Sequence, residues 1–493
     1  MRRWGPAAIV ALAAVAAVAA LTADAAAREP HPAQQKEAIA PREAGEPIMA
    51  IVSIKTQQVT FYDADGWILR APVSTGLKDR ETPAGVFAVI EKDKDHHSSM
   101  YDDAWMPNMQ RITWNGVALH GGPLPGYAAS HGCVRMPFGF AEKLFEKTRI
   151  GMRVIISPND AAPVDFSHPA LFTPNAEAVA AAPAHAETLG REAAEAATVA
   201  KETKKASASA ARETASLTSS LRKLEYRKKS ADTELAFAEK ELAAARTDQA
   251  KARAEAHKQK AAAKATEAVM QFDAAKADAK AKLDAAAAAK DAAKAAETRK
   301  VASASAASEA KLALEPVSIY ISRATQKLYV RRNTHKPAPD GGGEVFDATI
   351  EVPVTIRNPE KRIGTHVFTA MARKDAGLRW SAVTIDDADD AKDALDRITI
   401  PQDVLNRIGP TALPRSSIVV SDEPLSAETN YRTEFVAVLS NQPQGGFITR
   451  EPSTESLVAS DNFRNDDGFG FFFQRAWGSQ TGNGRRLGGQ YYR

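Results

Sequence analysis

The chain has 493 residues, of which 25% are charged and only 7% are aromatic, so core-forming side chains must be concentrated in parts of it. Its 64 Lys and Arg residues against 61 Asp and Glu give a net charge of +3, which excludes a strongly basic nucleic-acid-binding protein. A single cysteine excludes an internal disulfide, a cysteine zinc site and an iron–sulfur cluster.

Residues 1–27 have the pattern of a secretory signal peptide. Arg2 and Arg3 form a positive start, an apolar run of small residues extends from Ala7 to Leu21, and alanines after it suit cleavage. The run is short for a membrane span. We therefore expect export to the periplasm, with an uncleaved anchor helix as the alternative. A lone thiol in that compartment is either buried and inert or kept for its reactivity.

The first half of the mature chain begins with a leader and a β-rich region. Residues 28–46 are rich in Pro, Glu and Ala and predict a flexible leader. Residues 47–158 contain short β-rich runs separated by turn signals, with a helix expected over Phe138–Thr148 and a closing strand over Met152–Ser157. This pattern predicts a compact, mainly β domain with one short helix.

A helical region is expected in the middle of the chain. Residues 159–190 are rich in Pro and Ala and are interpreted as a linker, whereas residues 191–315 contain no Gly or Pro and strongly favour helix. Apolar residues at 4-3 spacing from Leu217 to Ala245 indicate a weak coiled-coil seam. We expect a long helix or an antiparallel hairpin that acts as a spacer, touches anionic wall polymer or mediates self-association. A solvated helix without a further role is the alternative.

Residues 316–440 return to β-rich sequence that is similar to the first domain. Gly364–Phe368 resembles Pro83–Phe87, and an insertion carrying Gly341–Gly343 lengthens the second copy. This indicates a diverged internal repeat, which contains no Cys and therefore cannot repeat any thiol chemistry. The Gly-, Asn-, Gln- and Arg-rich residues 441–493 predict a disordered tail.

The residues that carry chemistry surround the single cysteine, Cys133. His131 and Arg135 lie two residues to either side of it, and His120 lies thirteen residues upstream at a predicted strand end. An imidazole can accept the thiol proton, and local positive charge stabilises the thiolate. The amides around Gly132 are expected to face a developing oxyanion, aided by a helix beginning after Cys133. A packed or incidental cysteine is the alternative.

The complete pattern resembles the catalytic domain of the L,D-transpeptidases (YkuD-type). In that family a His is followed by a variable loop and then by Ser/Thr-His-Gly-Cys, a hydrophobic residue and Asn or Arg. Here His120 and the run Ser130-His131-Gly132-Cys133-Val134-Arg135 match in order, and Thr82-Pro83-Ala84-Gly85-Val86-Phe87 is similar to an upstream strand of the family. The resemblance covers residues 47–158. Arg135 stands where many members have Asn, and the His-to-Ser loop is short for the family.

The resemblance implies an L,D-transpeptidase-like β-sandwich with a short helix that needs no metal or organic cofactor. Cys133 is the implied nucleophile. His120 is the implied proton acceptor and donor, with its other ring nitrogen held by a backbone carbonyl such as that of Gly121. His131 and Gly132 would form the oxyanion turn with Cys133.

The remaining implied roles concern the turn and the substrate groove. Arg135 would steady the turn or add positive charge. The residues expected to contact substrate are Gly121, Ser130, Tyr127, Trp105 and Met106, with Trp114 as a further candidate for the groove wall.

The implied reaction is acyl transfer on peptidoglycan stem peptides. The thiol attacks the carbonyl of the third residue of a stem tetrapeptide and expels D-alanine, and the acyl group passes to an amine. That amine belongs to another stem, which gives a 3→3 cross-link, or to an outer-membrane protein, which gives a wall anchor. An L,D-carboxypeptidase and a non-catalytic wall-binding scaffold are the alternatives.

Overall fold

The computed structural model describes residues 36–442 except 102, 340, 376 and 387. The predicted signal peptide and all but two residues of the predicted tail lie outside the described residues. The chain forms a β-rich domain, a long helical segment and a second β domain, in the order that the sequence predicts. Among the described residues, no helix combines the length and hydropathy that a membrane span requires.

The first domain is a β-sandwich carrying one helix. Its elements are β1 (Ala38–Ile39), β2 (Met49–Ser53), β3 (Gln58–Asp63), β4 (Gly66–Pro72), β5 (Gly85–Ala88), β6 (Glu91–His97), β7 (Trp105–Arg111), β8 (Ala118–Gly121), β9 (Val134–Met136), α1 (Phe138–Lys147) and β10 (Arg153–Ser157). One sheet contains β1-β4-β3-β2-β10-β5, and a smaller sheet has the order β6-β7-β8-β9. Apolar residues from both sheets and α1 form the core between them. The β6–β7 hairpin was not predicted, because charged and His side chains hide its strand pattern.

Residues 36–46 of the predicted leader pack against the first sheet, where the sequence predicted a flexible segment, and residues 28–35 lie outside the described residues. Strand β1 pairs antiparallel with β4. Arg42 binds Asp63 through two hydrogen bonds of 2.8 Å and 2.5 Å. A bidentate guanidinium–carboxylate pair adds geometric specificity to this contact, so the segment is held in place by its neighbours.

The middle of the chain is an antiparallel helical hairpin of α2 (Ala176–Ala244) and α3 (Asp248–Leu312). Glu241 lies 2.8 Å from His257, and Glu234 lies 2.5 Å from Lys264, so the helices run in opposite directions. Alanines form much of the buried seam. The 69 residues of α2 correspond to a length of about 100 Å.

The predicted linker at 159–190 is largely structured. Strand β11 (Val164–Phe166) joins the sheet of the second domain, and α2 begins at Ala176. The side chain of Asn175 caps α2 by accepting a hydrogen bond from the Ala178 amide. Alanine's strong helix propensity outweighs the disruption by Pro183 near the helix start.

The second β domain follows the hairpin. Its elements are β12 (Ser318–Ser322), β13 (Lys327–Pro337), β14 (Glu344–Asp347), β15 (Glu351–Pro353), β16 (Thr355–Ile356), β17 (His366–Lys374), β18 (Gly377–Thr384), α4 (Ala391–Asp396), β19 (Ile398–Thr399), α5 (Gln402–Ile408), a 3₁₀ turn (Gly409–Thr411), β20 (Ser417–Ser421) and β21 (Ala437–Val438). The main path of its sheet is β11-β18-β17-β20-β12-β13-β14.

The central strands of the two domains are paired in the same way. In the first domain β2 is antiparallel to β3 and parallel to β10, which is antiparallel to β5. In the second, β12 is antiparallel to β13 and parallel to β20, which is antiparallel to β17. The second domain has no counterpart of the β6–β9 sheet among its described residues, and β18, α4 and α5 occupy the corresponding stretch of chain.

The two domains exchange edge strands and share a core. While β11 joins the second sheet, β21 pairs with β5 and extends the first. Gly85 has a φ of +156°, and a side chain there would place Cβ 2.1 Å from the carbonyl oxygen of Ala437. A third core contains Met49 and Ile155 of the first domain together with Tyr320 and Val419 of the second. The first sheet and the shared core are therefore completed by residues from far along the sequence.

We predict that Val436→Ala destabilises the first domain although it lies 278 residues beyond the predicted boundary at 158 (436 − 158). Val436 is 1% exposed and belongs to the core of the first domain. Removing two buried methyl groups should lower the free energy of unfolding by about 2 kcal/mol. Urea denaturation of the full chain measures this. Val164→Ala, at a residue that is 59% exposed, is the control, and equal midpoints for both variants would contradict the prediction.

Candidate active site

The pairing of β8 with β9 determines which side chains meet. The two strands are parallel, with Leu119 opposite Val134 and His120 opposite Arg135. Because side chains alternate along a strand, residues two apart face the same side of the sheet. Leu119 and Val134 face the sandwich core, so His120 and Arg135 face the other side.

Cys133 is on the same face as His120. It immediately precedes β9 and lies two residues before Arg135, and it packs with Ala118 in a small apolar cluster. Ala118 in turn lies two residues before His120 on β8. The Cys133 thiol and the His120 imidazole therefore lie on the same side of the sheet, at two neighbouring strands.

His120 has a fixed tautomer. Its Nδ1 atom lies 2.8 Å from the carbonyl oxygen of Gly121, as the resemblance implied. A carbonyl only accepts hydrogen bonds, so Nδ1 carries the hydrogen of the neutral ring and Nε2 carries the lone pair. The imidazole can then accept a proton at Nε2 without rotating.

Burial lowers the pKa of His120 to about 4; the Gly121 hydrogen bond opposes the shift, and electrostatic interactions with Arg135 and His96 add to it. The imidazole is therefore neutral at neutral pH, which is the state that accepts a proton. Arg135 supplies the positive charge that the sequence led us to expect.

The Ser130–Cys133 turn is held by side-chain hydroxyls. Ser130 Oγ accepts a hydrogen bond from the Gly132 amide at 3.1 Å and donates one to the Cys133 carbonyl at 2.5 Å. Thr82 Oγ1 donates to the Gly132 carbonyl at 2.9 Å. Gly132 has a φ of +115°, a conformation that favours glycine. Three positions of the sequence motif thus build the turn that presents the thiol.

Two predictions about this turn are wrong. The Gly132 amide already donates to Ser130, so in this structure it is engaged and does not serve an oxyanion. Cys133 precedes strand β9, and α1 begins only at Phe138, so no helix N-terminus adjoins the thiol.

A narrow cleft of about 50 Å³ adjoins Cys133. The thiol lies 3.6 Å from the carbonyl oxygen of Gly116, within the range of an S–H···O contact. His131 stacks on Tyr101 with ring centroids 4.5 Å apart. The cleft is lined by His96, Ser98, Ser99, Met100, Tyr101, Met106, Met109, Arg111, Asn115, Gly116, Ala118, His131 and Cys133.

The predicted substrate residues are placed in different surroundings. Met106 lines the cleft, as expected. Ser130 is 1% exposed, and its hydroxyl both donates and accepts a hydrogen bond within the turn. The carbonyl of Gly121 accepts a hydrogen bond from His120. These two residues are positioning residues, because their polar atoms are directed at protein groups.

The three aromatic residues predicted to line the groove do not line this cleft. Trp105 donates its indole hydrogen to Asp95 at 2.7 Å and stacks on Phe138. Tyr127 is exposed, and its carbonyl accepts a hydrogen bond from Ser74. Trp114 faces the second domain. Trp105 begins strand β7, whereas Trp114 and Tyr127 lie in loops, and an exposed ring gives no sequence signal for the direction in which it points.

Sequence reasoning missed the residues of the β6–β7 hairpin that cover the thiol. His96, Tyr101 and Met109 line the cleft, yet they lie far upstream of the motif. The paired histidines at 96 and 97 were the available signal, because two histidines on one strand direct one ring to each face.

One family model matches the first domain. Residues 47–156 match the YkuD family model, the L,D-transpeptidase catalytic domain. The match to this catalytic domain covers less than a quarter of the chain. No curated protein matches the chain at a significant level.

Solved structures that resemble part of the chain are L,D-transpeptidases. The L,D-transpeptidase from Mycobacterium smegmatis is 21% identical, with 23% of this chain and 59% of that chain covered and a TM-score of 0.22. An L,D-transpeptidase from Xylanimonas cellulosilytica is 24% identical, with 26% and 64% covered and a TM-score of 0.21. The catalytic domain from E. faecium L,D-transpeptidase acylated by ertapenem is 26% identical, with 23% and 99% covered and a TM-score of 0.21. This chain thus spans less than two thirds of the length of the first two structures.

We predict that His120 makes the catalytic domain sensitive to acid. Its pKa rises from about 4 when folded to about 6.5 when unfolded, so its contribution to stability is full above pH 6.5 and declines as the pH falls towards 4. Between pH 7 and pH 5 this loss should be about 2 kcal/mol.

Urea denaturation at both pH values tests this linkage. The pH dependence of the unfolding free energy should shrink by that amount in His120→Gln. It should be unchanged in His185→Gln, a variant at an exposed residue of α2. An undiminished pH dependence in His120→Gln would show that the buried ring is not the source.

Proposed function

We propose that this protein is a peptidoglycan L,D-transpeptidase that uses Cys133 as its nucleophile. The observation that carries the proposal is the placement of Cys133 and His120 on one face of the smaller sheet, with the His120 tautomer set by the Gly121 carbonyl. This arrangement leaves the lone pair of a neutral ring on Nε2, ready to accept the thiol proton. The family match supplies the substrate class, stem peptides of the wall.

The first half-reaction forms a thioester. His120 Nε2 takes the proton from Cys133, and the sulfur attacks the carbonyl carbon after the third stem residue. The positive charge of Arg135 near the reacting groups stabilises the resulting oxyanion. The C–N bond to D-alanine then breaks, and His120 returns the proton to the leaving amine.

The second half-reaction transfers the acyl group. An amine attacks the thioester, its proton passes to His120, and the C–S bond breaks to regenerate the thiol. The amine belongs to the diamino acid of a second stem or to a lysine of an outer-membrane protein, two acceptors of the same chemistry. Muropeptide mass spectrometry of cells with and without the gene distinguishes these products, since 3→3 dimers, protein-linked stems and trimmed stems differ in mass.

The helical hairpin and the second domain have a supporting role in this proposal. The alanine seam packs α2 on α3 within one chain, so self-association is not needed to bury it. The hairpin is a spacer, about 100 Å long, whose base is tied to the second domain by Glu309 with Arg332 and Arg407. The second domain contains no cysteine, and the part of it that the structure describes has no counterpart of the β6–β9 sheet, which suits a scaffold.

We predict that Cys133→Ala abolishes acylation and leaves the fold intact. A carbapenem is a suitable probe, because it acylates the nucleophile and leaves a covalent mass increase. Intact-protein mass spectrometry should find the adduct on the unchanged protein and none on the variant. His168→Ala, outside the first domain, is the control and should still be labelled. An adduct that persists on Cys133→Ala would refute the assignment.

We also propose that the protein acts in the periplasm after removal of residues 1–27. The positive start, apolar run and small residues of this segment are the support. The expected mature N-terminus is Arg28. N-terminal sequencing of the protein from a periplasmic extract tests this, and an intact Met1 in the mature fraction would contradict it.

A further inference from the structure

The second domain reaches the catalytic cleft through one segment. We call residues 426–439 the return segment, since they lead from the second domain back to the first. It ends in β21, which pairs with β5. Before that strand, the side chain of Glu428 accepts a hydrogen bond from the Trp114 amide at 2.7 Å and a further one from the Asn115 amide. The return segment therefore holds the backbone of the turn at residues 113–116.

Arg432 holds the side chain of the same turn. Its guanidinium lies 5.1 Å from the centre of the Trp114 ring, and its Nη1 donates to the carbonyl of Ile90 at 2.9 Å. Stacking of a guanidinium on an indole is favourable and directional. Trp114 is thus fixed at its amide by one residue of the return segment and at its ring by another.

The glycine-rich insertion of the second domain covers Arg432. A Cβ atom at Gly342 would lie 2.1 Å from Nη2 of Arg432, so only glycine fits without displacing the guanidinium. Gly343 also approaches the stem of Arg432. The insertion that separates the second domain from the first in sequence therefore packs Arg432 against the catalytic domain.

The turn that these contacts hold is part of the cleft wall. Asn115 and Gly116 line the cleft, and the Gly116 carbonyl is the group that Cys133 Sγ contacts at 3.6 Å. The turn is tied internally by hydrogen bonds from the Gly116 amide to the Thr113 carbonyl and from the Val117 amide to Thr113 Oγ1. Because it is tied in this way, a displacement of Trp114 is transmitted to Gly116.

The return segment also contacts the segment that holds the Ser130–Cys133 turn. The amide of Leu439 donates to the carbonyl of Ala84 at 3.0 Å, two residues from Thr82. Thr82 is the residue whose hydroxyl holds the Gly132 carbonyl. The return segment thus contacts the 113–116 turn directly and the Ser130–Cys133 turn through the segment that contains Thr82.

We propose that Glu428 and Arg432 are positioning residues for the Cys133 thiol, so that the repeat without a cysteine is a working part of the catalytic site. The proposal rests on the proposed function, in which Cys133 forms the acyl-enzyme. A fixed Gly116 carbonyl holds the sulfur in one rotamer beside the cleft. When the turn is loose, fewer molecules present the thiol in the attacking position.

The full-length chain is used for the test, with Glu428→Ala to remove both acceptors and Glu428→Gln as the conservative variant. Two rates are measured: acylation by a carbapenem over a range of concentrations, and alkylation of Cys133 by iodoacetamide from pH 6 to pH 9. Glu428→Ala should lower the limiting acylation rate about tenfold, the loss expected for hydrogen bonds to a charged group. Its half-saturating concentration should stay the same, and Glu428→Gln should recover most of the rate.

A matched control separates positioning from general support of the interface. Glu434 pairs with Arg153 across the same interface, yet neither residue lines the cleft. Glu434→Gln should therefore acylate at the unchanged rate. Gly342→Ala provides a second route, since it displaces the Arg432 guanidinium without altering the catalytic domain, and it should slow acylation as Glu428→Ala does.

Three results would overturn the proposal. The first is an unchanged acylation rate in both Glu428→Ala and Gly342→Ala. The second is an equal loss in Glu434→Gln, which would assign the effect to interface stability. The third is an alkylation profile of Cys133 that the variants do not alter. Failure of the proposed function gives a different result. In that case the carbapenem adduct still forms on Cys133→Ala, and the alkylation rates separately measure whether Glu428 positions the thiol.

Discussion

The parallel pairing of β8 with β9 is the constraint on which the candidate site depends. Two adjacent parallel strands place side chains of matched parity on the same face, and this alone brings Cys133 and His120 to one side of the sheet from positions thirteen residues apart. A shift of one residue in this register would send the thiol into the sandwich core. The hydrophobic residues Leu119 and Val134, which must face that core, prevent the shift.

That pairing also explains why polar residues of the motif are buried. Parallel strands need a crossover, and here the connection returns through the Ser130–Cys133 turn without a helix. A tight turn leaves backbone amides and carbonyls that must be satisfied. Ser130 and Thr82 provide those partners with their hydroxyls. The side chains of Ser130 and Thr82 therefore form hydrogen bonds with the backbone. The groups proposed to react are the Cys133 sulfur and the His120 imidazole.

Much of the site was readable from the sequence because it rests on short-range spacing. The order of His120, His131, Gly132, Cys133 and Arg135 singled out the thiol and its imidazole, and the family resemblance implied the contact of the ring with the Gly121 carbonyl. Contacts made across long sequence separations were not readable. The β6–β7 hairpin and the return segment reach the thiol through tertiary packing, and neither carries a local pattern that indicates its partner. The ordered leader and the early start of α2 were missed for a related reason, since composition alone does not reveal a docking surface.

The fold itself was only partly predictable for a further physical reason. Strand β2 is buried at all five positions, with Ala50 and Val52 in the sandwich core and Met49 and Ile51 in the core shared with the second domain. A strand that is buried on both faces has a continuous apolar sequence. This pattern predicts that another part of the protein covers the second face, but it does not indicate which part.

In this chain the second domain covers the second face of β2. Strand β12 alternates in the same way, with Ile319 and Ile321 in its own core and Tyr320 in the shared one. Each central sheet thus covers one face of the other. Strand β21 extends the first sheet, and strand β11 extends the second. Among its described residues the second domain has no counterpart of the β6–β9 sheet, so it has no strands of that kind to hold a thiol and an imidazole. The second domain still supplies an apolar face, which excludes water from the core of the catalytic domain. It also supplies the return segment, which positions the thiol.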